Sequence, residues 1–142
     1  MEYAVGAALA LIVGAFATAT AFERSRAFYP TVLIVIASYY DLFAIMAGST
    51  RALGAESVAL IAFVIAAVVG FRFSPWVVVA ALAAHGVFDF VHAGIIANPG
   101  VPAWWPMFCL TYDVMAAAYL GWRLIRARSV ETAHVLDLAA EA

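Results

Sequence analysis

Apolar runs of spanning length dominate this chain. Five segments carry nearly uninterrupted apolar residues: 3–22, 29–48, 53–71, 75–97 and 106–125. About 20 such residues are needed for a helix to cross the hydrocarbon of a bilayer. Composition leaves no soluble alternative, since 68% of the 142 residues are hydrophobic and only 11% are charged. A soluble globule of this size has too little interior to hide that much apolar surface. The expected fold is therefore all-α: a polytopic membrane bundle of five transmembrane helices over 1–128. A short cytoplasmic tail, 129–142, follows as a surface helix, with His134 solvated.

The connections are brief and punctuated by Gly, Pro, Ser and charge, as at Gly48-Ser49-Thr50-Arg51 and Asn98-Pro99-Gly100. They leave no room for a second domain. The first segment is expected to be a retained helix, because it lacks a basic leader and is longer than a signal-peptide core. All seven basic residues are Arg. With the N-terminus outside, Arg24, Arg26, Arg72, Arg123, Arg126 and Arg128 fall inside and only Arg51 outside. That asymmetry predicts an N-out, C-in orientation. The absence of Lys excludes Schiff-base chemistry and a Walker-type phosphate loop. A net charge of −2 offers no basic field for nucleic acid. Lone Cys109 is read as a small buried hydrophobe.

Ionisable residues inside a bilayer are costly and mark function by default. Five stand inside the spans: Asp41, His85, Asp89, His92 and Asp113. His85, Asp89 and His92 follow i, i+4 and i+7 spacing, so they form one polar stripe on the fourth helix. At 1.5 Å of rise per residue, Asp41 and Asp113 lie roughly 10 Å below their helix ends, and Asp89 and His92 roughly 12 and 8 Å. His85 is deeper, at roughly 18 Å. The common level predicts one site in the outer half of the membrane.

Imidazoles and carboxylates together suit Zn²⁺, Fe²⁺ or Mn²⁺, and Cu²⁺ less specifically. The expected metal ligands are Asp89, His92, Asp113 and Asp41. Asp113 or Asp41 doubles as general base, and His85 acts behind them as orienting group or proton relay. Such a site belongs to a metal-dependent hydrolase or oxidoreductase acting on a lipid or other apolar substrate. Two other classes use the same residues: a small transporter or proton-conducting subunit, and a noncatalytic accessory subunit with a structural polar network. Glu56 is read as an interfacial residue at the mouth of the third helix. Gly6, Ala10, Gly14 and Thr18 form a small-residue ridge on the first helix. It serves packing within the bundle or contact with a second copy.

The stretch from Arg26-Ala27-Phe28-Tyr29-Pro30 through Ser38-Tyr39-Tyr40, with His85-Gly86-Val87-Phe88-Asp89, resembles small polytopic bacterial membrane proteins. This resemblance implies a bacterial inner-membrane location and no particular activity. The chain is also faintly similar to ceramidase-type membrane metal hydrolases, which gather His and Asp residues from several helices. That family has about seven helices and different His spacing, so no residue role is carried over from it.

Overall fold

A computed structural model describes residues 1–140. It is all-helical, with no strand among the described residues. Its elements are α1 (Glu2–Ala19), the 3₁₀ turn η1 (Phe22–Arg24), α2 (Phe28–Met46), α3 (Thr50–Arg72), α4 (Pro75–Ile95) and α5 (Trp105–Ala140). Four of these, α1 to α4, are long and apolar enough to cross a membrane. Their outward faces carry bare large side chains, among them Ile12, Ile61 and Phe90 at 64%, 58% and 65% exposure. Water would not tolerate so continuous an apolar surface, whereas lipid does.

Local chemistry sets the helix ends. Gly48 adopts a left-handed φ of +66°. It closes α2 while Gly48 N–H and Ser49 N–H donate to the carbonyls of Ile45 and Ala44. The Ser49 hydroxyl then accepts from Ala52 N–H, so α3 starts at Thr50, three residues before the apolar run suggests. Pro75 opens α4 at a position where its missing N–H costs nothing. α5 differs from expectation in length. It continues without a break from Trp105 to Ala140, so no separate tail helix follows residue 128. Nothing in 126–140 is a helix breaker, and Ala, Arg, Leu and Glu favour continuation. Glu141 and Ala142 lie outside the described residues.

The helices alternate in direction. One end, here the upper, carries Met1, the α2–α3 turn and the α4–α5 loop. The lower end carries η1 and the α3–α4 turn. α4 packs on α5 and α3, and α2 packs on α3 and more lightly on α4. α1 packs on α5, with only a short contact to η1 besides. Its buried residues are all small: Gly6, Ala10, Gly14 and Ala17. A Cβ at Gly6 would overlap the Phe108 carbonyl and Thr111 of α5, and one at Gly14 would lie 3.0 Å from the Tyr119 ring. The small-residue ridge thus serves packing of α1 on α5. At the lower end Glu23 pairs with Arg123 and accepts from Thr18, which also bonds the Tyr119 hydroxyl at 2.7 Å.

The lower half of the interior is filled by Leu33, Val78, Ala81, Leu82 and Leu120. Every carboxylate and imidazole that is fully buried lies above this plug, among the described residues.

Gly6→Val is expected to lose about 1–3 kcal/mol in reversible unfolding in detergent, the usual cost of overpacking. Gly54→Ala, where a Cβ meets open space, should be neutral or gain up to about 1 kcal/mol.

Candidate functional site

The polar stripe of α4 faces inward, with His85, Asp89 and His92 all at most 2% exposed. Isolated polar groups at such depth would cost several kcal/mol each, so each requires a partner from a neighbouring helix. The partners form two groups joined by one tyrosine.

The lower group unites α4 with α5. Gly86 makes it possible: a Cβ there would lie 3.3 Å from the Leu110 carbonyl and 3.4 Å from the Asp113 Cβ. The close approach brings Asp113 Oδ2 to 2.6 Å from His85 Nδ1, and Asp89 Oδ2 lies 3.4 Å from the same nitrogen. All three residues are 0% exposed, and they offer one ligand atom each within 4.8 Å of one another. One imidazole nitrogen therefore stands between two carboxylates. Phe63 packs against the His85 ring with centroids 4.6 Å apart, and Phe88 lies 6.0 Å away, so the surroundings are apolar. Three atoms remain without a partner: Asp89 Oδ2, Asp113 Oδ1 and His85 Nε2.

The upper group unites α2, α3, α4 and the α4–α5 loop. His92 Nε2 donates to Glu56 Oε1 at 2.8 Å. The Asn98 amide donates to the same oxygen and to the Tyr40 carbonyl, both at 2.9 Å. The loop is held down further by Gly100, whose Cα approaches the Phe43 carbonyl so closely that a Cβ would overlap it.

Tyr40 links the groups. Its hydroxyl donates to Asp89 Oδ1 at 2.6 Å, and its ring stacks on His92 with centroids 4.1 Å apart. With its carbonyl held by Asn98, all three parts of the residue are engaged.

Of the residues singled out in the sequence, His85, Asp89 and Asp113 are brought together. His85 stands at their centre, where the spacing argument had placed it behind the ligands. His92 faces Glu56 instead and meets the lower group only through Tyr40. Asp41 stands apart: Ser57 donates to its Oδ1 at 2.6 Å, and Oδ2 is buried without a partner. Adjacent helical positions point about 100° apart. Tyr40 takes the inward direction, which turns Asp41 toward α3. Glu56 is only 1% exposed, which corrects its interfacial reading. With α3 starting at Thr50, Glu56 lies roughly 9 Å below the helix end, too deep to reach the surface. Tyr40 stands out in the sequence only as a polar neighbour of Asp41, and Asn98 only as part of the uncharged outer loop; neither is ionised at neutral pH, so a depth argument restricted to charges gives them no role.

Tyr40→Phe leaves Asp89 Oδ1 without its donor, and about 1–3 kcal/mol should be lost from unfolding stability. Tyr39→Phe, on the neighbouring and partly exposed position, should stay within about 0.5 kcal/mol of wild type.

Comparison with known proteins finds no matching family model, no similar curated protein and no similar solved structure.

Proposed function

We propose that this chain is a membrane metalloprotein that holds one divalent cation between His85, Asp89 and Asp113. The observation that carries this reading is the set of three fully buried groups, each with an unpartnered atom, converging from α4 and α5. Two carboxylates and a neutral imidazole balance a dication, and that neutrality is what a low-dielectric interior demands. The mixed nitrogen and oxygen donors suit Zn²⁺, Fe²⁺ or Mn²⁺, with Cu²⁺ less favoured. Three protein ligands leave positions open for water or substrate. A hydrolase or oxidoreductase acting on a lipid or another apolar molecule fits such a centre, with Tyr40 orienting Asp89 from behind.

The α5 segment from Trp105 to about Ile125 acts as a fifth span in this reading. The lower end, with six Arg against one above, faces the cytoplasm of a bacterial inner membrane. His92 and Glu56 position the loop and Tyr40 rather than bind the cation, and Asp41 takes no part.

A proton relay is the second reading, favoured by the series Asp113, His85, Asp89 and Tyr40, in which hydrogen bonds join Asp113 to His85 and Tyr40 to Asp89 and a 3.4 Å contact separates His85 from Asp89. The apolar plug of Leu33, Val78 and Leu82 below His85 argues against conduction across the bundle.

Elemental analysis of the detergent-purified chain, loaded with Zn²⁺, Fe²⁺ or Mn²⁺, tests the proposal. Near one equivalent is expected in wild type and in Asp41→Asn, with affinity reduced about tenfold or more in Asp89→Asn and His85→Ala. Bound metal at 100 times its Kd should add about 2.7 kcal/mol to unfolding stability, reversed by a chelator. A wild type that takes up no metal, or undiminished metal in folded Asp89→Asn, overturns the metal reading. For topology, single cysteines replacing Ser49 and Ser74 in a Cys109→Ala background should label from the outside and the inside, respectively.

A further inference from the structure

Because α1 leans on α5 and not on α2, a groove of about 1060 Å³ opens between α1 and α2, with α5 as its floor. It reaches from Glu2 and Trp104 at the upper end to Phe22 and Ser25 at the lower. That is close to the roughly 30 Å thickness of the hydrocarbon region. Val5, Leu9, Val35 and Ile36 form its walls, and Cys109 and Tyr112 its floor. The volume is at the upper end of the range for small-molecule sites. The one charged residue lining the groove is Glu2, at the upper end; beside the lower mouth, next to the lining residue Ser25 but not lining the groove themselves, stand two basic residues. Arg24 and Arg26 flank Ser25 in the α1–α2 connection, both are exposed, and neither forms an ion pair among the described residues. By contrast, the adjoining acid, Glu23, is engaged by Arg123.

We infer that the groove binds an anionic glycerophospholipid, with an acyl chain along the α1–α2 cleft and the phosphate headgroup on Arg24 and Arg26. An apolar trough open sideways takes a hydrocarbon chain, and two exposed arginines beside its lower end, without an ion-pair partner among the described residues, select the sign of the headgroup. Neither feature alone would choose this ligand: the trough accepts any chain, and surface arginines accept any anion. In the orientation proposed above, the mouth opens on the cytoplasmic leaflet, the leaflet that carries anionic lipid. The site is separate from the His85 group and does not require a metal there.

The test titrates the delipidated full chain in neutral detergent with dioleoylphosphatidylglycerol or dioleoylphosphatidylcholine. Thermal unfolding and native mass spectrometry follow binding. The anionic lipid is expected to persist as a single adduct and to raise the unfolding midpoint at a concentration about tenfold or more below the zwitterionic one. Arg24→Gln/Arg26→Gln should abolish that preference, whereas Arg72→Gln, at the same end but away from the groove, should keep it. Val35→Trp, which fills the trough from an exposed position, should lose the adduct with both lipids. Equal response to the two lipids, a preference that survives Arg24→Gln/Arg26→Gln, or one lost equally in Arg72→Gln would overturn the inference. So would a dimer that Val35→Trp dissociates, since a second copy would then occupy the groove. A protein that takes up no metal on loading yet shows the lipid preference would overturn the metal reading alone.

Discussion

A carboxylate that leaves water must find a partner, and in this bundle the search for partners fixes which helices are neighbours. α4 carries three of the buried ionisable side chains, and each reaches a different element. His85 meets Asp113 of α5, Asp89 meets Tyr40 of α2, and His92 meets Glu56 of α3. Leucine against leucine would hold helices together in lipid with little preference for one arrangement, because lipid tails are as apolar as the side chains. The polar contacts are directional and add that preference. They are few, and all lie in the upper half of the molecule.

Shape supplies the rest of the cohesion. Gly86 admits α5 to hydrogen-bonding distance of His85, and Gly6 and Gly14 admit α1 to α5. In both places, removing a side chain lets backbone and neighbour approach, which gains dispersion contacts where no hydrophobic effect operates. The two halves of the bundle are therefore stabilised differently. The upper half is joined by hydrogen bonds between groups that lack water, and the lower half by an apolar plug with the Glu23–Arg123 pair at its rim.

Much of this was legible in the sequence. Apolar run length gave four helices close to their observed spans, because in a membrane chain hydropathy and helix length are two expressions of one constraint. The i, i+4, i+7 stripe on α4 gave an inward polar face, since helical geometry alone places those residues together. What the sequence concealed was azimuth. Depth could be counted from helix ends, but the direction in which Asp41 points depends on how α2 is rotated against α3 and α4. Tyr40 and Asp41 share a level and face different neighbours. Glu56 was obscured by a cap: Ser49 starts α3 earlier than its hydropathy does, and that shift moves Glu56 from the rim to the interior. The continuation of α5 past residue 128 was hidden because polar composition marks where lipid ends, not where a helix ends.

The packing order of the helices has a consequence for assembly. α2, α3 and α4 meet one another as soon as they are made, through contacts between successive elements. α1 is different, for its seat is α5, the last of the described helices. Synthesis from the N-terminus therefore leaves α1 without its seat until α5 arrives. Of the five α-helices described, α1 is made before the rest yet docks only after α5, so closing the bundle waits on a contact that spans all the helices between them.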